Sequence, residues 1–359
     1  ANTTVIGHNA GDAITTGNSN VAVGSNALSA TETGTENVAI GTSALASNTT
    51  ASFNTAVGGA SLDANTTAAN NTAVGYQALT ANTTGTQNTA VGMNAADANT
   101  TSNNVTAVGY AAASASNANQ ITAIGSQALA QSSEAGTAVG YAALFANTTG
   151  TNNVAVGDSA MISNTTGAEN TSVGALSSDA LTTGNGIVAL GYKALSSDTK
   201  GNRAVALGHE SLANQNFTTS TNNYNVAVGF QALTVNTTGI YDTAVGGQAL
   251  QANTTGSNNV AVGLNALLVN TTASFNTAVG TFSLDANTTG SANTAVGYNS
   301  GGGLTTGSFN VAIGSNALLA ATTADNNTAV GNGALQSNTS GTANVAIGSA
   351  SLDANTTGN

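Results

Sequence analysis

The sequence has no cysteine, no proline and no tryptophan, and only three of its 359 residues are lysine or arginine. Without cysteine there is no disulfide, no thiolate nucleophile and no zinc site of the cysteine type, and the redox compartment stays undetermined. With 15 acidic residues and a formal net charge of −12, the chain offers no basic surface to neutralise phosphates. We therefore expect neither nucleic acid nor an anionic membrane as a partner.

Charge of either sign is scarce, and long apolar runs are missing as well. Only 5% of residues are charged, whereas 40% are hydrophobic and 43 are glycine. Disordered chains have the opposite balance, many charges and few apolar residues, so we expect this chain to fold. No run of about 18 apolar residues is present, so we expect no direct membrane insertion in this segment.

What the sequence does contain is a single short repeat. Dipeptides of Val, Ile or Leu followed by Gly recur about every 17 residues, and roughly 21 units fill the chain. We therefore predict one continuous repeat domain over residues 1–359, with irregular coils near 110–131 and 209–225. The column glycines are Gly7, Gly24, Gly41, Gly58, Gly75, Gly92 and Gly109 and, beyond the irregular middle, Gly229, Gly246, Gly263, Gly280, Gly297, Gly314, Gly331 and Gly348. Both ends fall inside a repeat, which suggests a fragment of a longer chain.

The composition of one repeat indicates short strands joined by tight turns. A period of about 17 residues is too short for a helical hairpin, and Val, Ile and Thr beside Gly, Asn and Ser are typical of strands and turns. We therefore predict an all-β, parallel β-solenoid with one coil per repeat. Within a coil we expect Val74 to meet Leu79 in the interior and the small Ala and Gly residues to face another chain.

Oligomer formation follows from how little each coil can bury. A few large apolar side chains per coil leave a thin margin over the conformational entropy of about 17 ordered residues, so burial between chains would add stability. A homo-oligomer is the favoured interpretation. A single-chain solenoid stays open, because the stability of a solenoid accumulates with the number of repeats.

The turns repeat as regularly as the strands. The tetrapeptide Asn-Thr-Thr-Gly recurs through the chain, and Asn and Gly tolerate left-handed backbone conformations. Stacked in register, the turn asparagines would form a ladder of amides. This ladder is expected at Asn48, Asn65, Asn82 and Asn99. The predicted structural residues of a coil are therefore Gly75, Gly92, Val74, Leu79 and Asn82.

No arrangement of residues points to catalysis, a cofactor or a metal. His8 and His209 are about twelve coils apart, so they cannot share a site within one chain. No glycine turn carries the lysine of a phosphate loop, and no acidic pair recurs in neighbouring coils of one column. We expect a protein that is not an enzyme, with no catalytic, cofactor-binding or metal-ligating residue.

One region breaks the repeat and is the candidate ligand contact. All three basic residues lie between positions 193 and 203, beside an insertion of about four residues. Three aromatic residues of successive coils should stack as a ladder, and Lys193 and Glu210, which occupy one column in adjacent coils, could pair. A host-surface glycan or protein could bind there, whereas the alternative is that the rings cover a tolerated bulge. The candidate contacts are Tyr192, Lys193, His209, Glu210, Phe217, Tyr224, Phe230 and Tyr241.

The repeats resemble those of a known family. Asn-Val-Ala-Ile-Gly at 37–41, 310–314 and 344–348, followed by Ala-Leu, is similar to the head repeats of YadA-like trimeric autotransporter adhesins, and also to repeats of phage tail fibres. The resemblance implies a left-handed parallel β-roll, with three chains packed around a shared axis. The longer repeat and the absence of a stalk, neck or anchor among these residues depart from the family.

The function predicted from these observations is structural. We expect a rigid trimeric rod of an extracellular fibre or adhesin, placed on a cell or virion surface for attachment or display. A phage tail-fibre shaft and a self-assembling extracellular filament are the nearest alternatives. Ice binding is a further alternative, since regular threonines could order water, but it is disfavoured because threonine alternating with valine along the strand is typical of buried positions.

Overall fold

The computed structural model describes residues 2–359, which form two compact units with a boundary between Ala175 and Leu176. Both units consist of short β-strands and turns, and residues 2–359 contain no helix. The all-β class predicted from the repeat is confirmed.

The first unit is built from three- and four-residue strands. Each begins with Thr, Val, Gly or Asn and ends with Val or Ile, as expected from the preference of β-branched residues for extended backbone. The strands are β1 (Thr4–Ile6), β2 (Val21–Val23), β3 (Val38–Ile40), β4 (Thr55–Val57), β5 (Thr72–Val74), β6 (Thr89–Val91), β7 (Thr106–Val108), β8 (Thr122–Ile124), β9 (Gly136–Val139), β10 (Asn153–Val156) and β11 (Thr171–Val173).

The second unit repeats this pattern and adds two strands of two residues. Those two strands, β13 and β15, pair with each other and not with the main sheet. The strands are β12 (Val188–Leu190), β13 (Gly201–Asn202), β14 (Val205–Leu207), β15 (Thr221–Asn222), β16 (Val226–Val228), β17 (Thr243–Val245), β18 (Val260–Val262), β19 (Thr277–Val279), β20 (Thr294–Val296), β21 (Val311–Ile313), β22 (Thr328–Val330) and β23 (Val345–Ile347).

Within each unit, every main strand pairs in parallel with the strand of the next coil. Thr55 pairs with Thr72 and Thr72 with Thr89, so equivalent residues stack directly on one another. The parallel β-solenoid with coils of about 17 residues is thus confirmed. Coil length changes where the repeat is irregular: β7 to β9 are closer together in sequence, and Val205 of β14 pairs with Val226 of β16 across the longest coil.

A coil has two walls, and the expected orientation of the strand is wrong. Ala73 is fully buried and shares the interior with Leu79, whereas Thr72 and Val74 on either side of Ala73 are partly exposed. The opposite wall is a turn whose backbone bonds to the next coil, as from Leu79 N to Ala95 O at 3.0 Å. A coil this narrow has room for only a methyl group opposite leucine, so the β-branched residues face outward.

The column glycines are required by the close stacking of coils. Gly75 has a φ of +137°, and a Cβ there would lie 2.4 Å from the carbonyl oxygen of Gly92. Any other residue would clash with the backbone of the next coil. Gly92 meets Gly109 in the same way, so glycine at these positions permits the stacking of successive coils.

The asparagine ladder forms between several coils. Asn65 Nδ2 donates to Asn48 Oδ1 at 3.3 Å, and Asn82 Nδ2 donates to Asn65 Oδ1 at 3.1 Å. Asn82 also donates to Gly85 O at 3.0 Å and thereby closes its own turn. Asn99 is buried in the same column, but its Nδ2 donates to Ser102 O. Another column of asparagines precedes the strands, where Asn88 N donates to Asn71 Oδ1 at 3.0 Å.

Candidate functional site

The second unit carries the inserted residues, and they form a structure of their own. Gly201 pairs with Thr221 and Asn202 with Asn222, which makes the small parallel sheet β13–β15. Asn202 Nδ2 donates to Ser220 Oγ at 3.0 Å, and Asn223 N donates to Asn202 O at 3.2 Å. The insertion is therefore held to the neighbouring coil by hydrogen bonds.

The aromatic ladder predicted after the column glycines is confirmed. The ring centroids of Tyr192 and His209 lie 5.2 Å apart, and those of His209 and Phe230 lie 5.4 Å apart. The register of the coils causes this stacking, because each ring follows a glycine that stacks on the next glycine. Tyr192 and Phe230 stay about half exposed, so the ladder presents an aromatic edge to solvent. We call these three residues the first ladder.

A polar groove of about 430 Å³ lies on the same side of the coils. It mixes charges of both signs with hydroxyl and amide groups. Burial raises the pKa of Asp179, and backbone N–H groups and the Lys193 ammonium act against that rise. The lining residues are Asp179, Lys193, Ser196, Ser197, Glu210, Ala213, Asn214 and Thr234. Such a lining can bind hydroxyl groups.

The predicted ion pair between Lys193 and Glu210 is not formed. Glu210 Oε2 instead accepts a hydrogen bond from Gln231 Nε2 at 2.8 Å and lies 3.8 Å from His209 Nδ1. The Lys193 ammonium lies 5.4 Å from the centroid of the Tyr192 ring. Both side chains line the groove, but the ring and the amide hold them apart.

A second aromatic pair lies two residues before β16 and β17. Tyr224 and Tyr241 stack with centroids 5.9 Å apart and an interplanar angle of 18°. The Arg203 guanidinium carbon lies 5.4 Å from the centroid of Tyr224, and Arg203 Nη1 donates a hydrogen bond to the Tyr224 hydroxyl. Arg203, Tyr224 and Tyr241 are all exposed. We call these three residues the second ladder.

Phe217 lies apart from both ladders. Its side chain is only 6% exposed, so it packs inside the inserted segment. Phe217 N donates to Asp198 Oδ1 at 3.1 Å, and Gln215 Nε2 donates to Asp198 Oδ2 at 2.7 Å. Burial raises the pKa of Asp198, and these hydrogen bonds act against the rise.

Asp242 is a second buried carboxyl group. It lies in the asparagine column that directly precedes the strands. Its Oδ1 accepts from Asn259 N at 2.8 Å, and its Oδ2 lies 3.2 Å from Asn253 Nδ2. Burial raises its pKa to about 7, and hydrogen bonds from Asn259 and Asn253 act against the rise. The carboxyl thus titrates near neutral pH within an otherwise uncharged column.

Arg203 is one of the three basic residues of the irregular region but is not among the candidate contacts predicted from the sequence, and neither Asp198 nor Asp242 was predicted to be special. A signal for the two carboxyls was present, because each occupies a column that other coils fill with asparagine. Among residues 2–359 no group of three His, Cys, Asp or Glu side chains could hold a metal ion, and no helix there could span a membrane.

No protein-family model matches the sequence, and a search of curated proteins finds no significant match. The resemblance to YadA-like head repeats therefore rests on the repeat motif itself.

Proposed function

We propose that the chain is a structural segment of an extracellular fibre or surface adhesin, in which three copies form a rigid rod for attachment or display. The observation that carries the proposal is the outer face of the strands. In almost every main strand the central alanine or serine is buried and its two neighbours are partly or fully exposed. Columns of Val, Ile and Thr therefore line the outside of each unit.

These columns form a continuous outer face of valine, isoleucine and threonine, and contiguous apolar surface of this kind often marks an interaction site. Within the second unit, Val245, Val279, Val296 and Ile313 are each exposed, and no main strand there carries a charge. A second copy of the same face fits such a surface, because flat columns with equal spacing can interdigitate and no charge is buried. The face between chains is then the Thr/Val/Ile face, and not the small-residue face expected from the sequence.

Sedimentation equilibrium of the purified chain tests the assembly. We expect a mass near three times 34.4 kDa. Val279→Lys, on the outer strand face, should shift the mass toward one chain, since it places a charge in the interface. Thr289→Lys, on an exposed turn of the same coil, is the matched control and should leave the trimer intact. A stable monomer for the unchanged chain would contradict the trimer.

A tail-fibre shaft and a self-assembling filament would use the same face. The three contexts differ in where the assembly is attached, so immunogold labelling of cells and virions from the source distinguishes them. Labelling of a bacterial surface supports the adhesin, and labelling of virion tails supports the fibre shaft.

Ice binding is the second candidate, and one observation favours it over the expectation from sequence. The strand threonines Thr55, Thr72, Thr89 and Thr106 lie in successive coils at outward-facing positions, and not in the interior. A flat array of methyl and hydroxyl groups spaced by about 4.8 Å could order water. A monomer that shows thermal hysteresis, lost in Thr72→Lys, would support this function in place of the fibre.

A further inference from the structure

We infer that the second ladder of Arg203, Tyr224 and Tyr241 is a binding site for an acidic sugar, a pyranose that carries a carboxylate. The inference rests on the proposed adhesin function and assigns a ligand class to it. The first observation is that positive charge is scarce and unpaired at this site. The chain has only three lysines and arginines against 15 acidic residues, and no carboxylate lies within ion-pairing distance of Lys200 or Arg203 in the described residues.

The guanidinium of Arg203 is held in place without being neutralised. Its partner is Tyr224, through the hydroxyl and through the ring face, and neither contact removes the positive charge. Arg203 Cγ also lies 3.7 Å from the position that a Cβ of Gly186 would take, so the stem packs where the preceding coil has no side chain. A fixed arginine with free donors is suited to two parallel hydrogen bonds with a carboxylate.

The register of the coils explains why Arg203 and Tyr224 meet. Arg203 lies two residues before β14 and Tyr224 two residues before β16, and Val205 of β14 pairs with Val226 of β16, so the two side chains occupy one column of adjacent coils. Tyr241, two residues before β17, continues this column. The inserted residues form the extra sheet β13–β15 and leave the register of the column unchanged.

The two tyrosines add a platform beside the charge. Their rings are nearly parallel, and 45% of Tyr224 and 49% of Tyr241 is exposed. Aromatic surfaces of this kind pack against the C–H faces of sugar rings, while the hydroxyl groups hydrogen-bond to polar neighbours. Because carboxylate recognition and ring packing occur side by side, an acidic pyranose fits better than a simple anion or a neutral sugar.

Isothermal titration of the assembled chain with a tetramer of galacturonic acid tests the site. We expect measurable binding that weakens in 0.5 M NaCl because the ion pair is screened. The methyl-esterified tetramer has the same rings without the charge and should bind at least about tenfold more weakly. Equal binding of the acid and the ester would overturn the inference.

Variants locate the binding. Arg203→Gln should weaken binding of the acidic tetramer about tenfold or more, and Tyr241→Ala several-fold. Phe309→Ala removes an exposed ring from the same column, far along the unit from Arg203, and should change affinity less than twofold. Circular dichroism of each variant verifies folding. Unchanged binding by Arg203→Gln would place the ligand elsewhere and overturn the site.

Two further outcomes separate this inference from the proposed function. Tighter binding of tetraglutamate than of the sugar would assign the site to an acidic peptide and overturn the sugar. A chain that sediments as a trimer but binds no acidic tetramer at millimolar concentration would overturn the sugar site and leave the fibre intact. A monomer that binds the tetramer would support the site and contradict the trimer.

Discussion

Two regions of the second unit follow the same coil with different chemistry. In the regular coils that contain β18 to β22, each amide of the column before the strands accepts from the next coil and donates to a backbone carbonyl. Asn276 N, for example, donates to Asn259 Oδ1 at 3.0 Å, and Asn276 Nδ2 donates to Gly290 O at 2.9 Å. In the irregular coils that contain β12 to β17, carboxyl groups occupy the asparagine columns at Asp198 and Asp242.

The difference shows what a repeated amide contributes. An amide carries a donor and an acceptor, so a column of identical asparagines satisfies its own members. A carboxylate only accepts, and each buried one needs a special environment. Asp198 has donors from Gln215 and from the backbone of the insertion, whereas Asp242 lies in a coil that offers it fewer donors. The irregular coils also carry the three basic residues and both aromatic ladders.

The largest effect should come from adding a methyl group to a column glycine in the regular region. Gly280→Ala places a Cβ 2.4 Å from Gly297 O at a φ of +134°, which should cost about 3 kcal/mol or more. Gly247→Ala, next to the column, meets only Leu264 Cδ1 at 3.3 Å and should cost less than about 0.5 kcal/mol. Urea unfolding followed by circular dichroism measures both, and equal costs would show that the stacking does not need glycine.

The second largest effect should come from replacing the buried carboxyl group of Asp242 with the amide that regular coils have. The pKa of Asp242 is raised from 3.8 to about 7, so the folded state binds the proton more tightly than the unfolded chain does. Its protonated form stabilises the fold fully below pH about 4, and this contribution is lost as the pH rises through about 7. Asp242→Asn should therefore raise the free energy of unfolding at pH 8 by on the order of 3 kcal/mol, and by much less at pH 4.

The reverse exchange is the control. Asn276→Asp should lower stability at pH 8 and recover at pH 4, because it creates the same buried carboxyl in a regular coil. Thermal unfolding of the chain and both variants at the two pH values gives the comparison. A pH profile of Asp242→Asn that matches the unchanged chain would mean that Asp242 is ionised without cost.

The smallest effect has the opposite sign. Asp198→Asn should cost about 1–2 kcal/mol, because it turns one acceptor toward Gln215 into a donor. Gln215 cannot reverse its amide freely, since Gln215 Oε1 accepts from Asn225 Nδ2 at 2.8 Å. The same substitution, aspartate to asparagine, is thus expected to destabilise at 198 and stabilise at 242. Denaturant unfolding at pH 8 decides this, and stabilisation at both sites would remove the distinction between the two carboxyls.

The coil could be predicted from the sequence because the constant repeat length determines which residues of neighbouring coils stack on one another. Gly75 and the asparagine columns recur at one spacing, so parallel stacking in register follows from the sequence. The orientation of Val74 and Ala73 did not follow, because both faces of the strand carry apolar residues and only the width of the coil interior decides which face is buried.

The candidate site was predictable in part for the same reason. Tyr192, His209 and Phe230 share one column, so their stacking could be predicted from the register. Arg203 and Tyr224 also share one column, two residues before β14 and β16, but the insertion between them lengthens the coil and obscures that register in the sequence. The environment of Asp242 depends on Asn253 and Asn259, which lie in the turn of its own coil and in the next coil.

The parallel register also has a mechanical consequence. A pull along the stacking direction loads the interfaces between coils one after another, so the weakest opens first while the rest keep their bonds. Each coil that detaches would release about 17 residues, roughly 55–60 Å of extended chain, in place of about 4.8 Å of stacked height. A single folded unit could thus lengthen in steps under load, one coil at a time, and absorb work at each step.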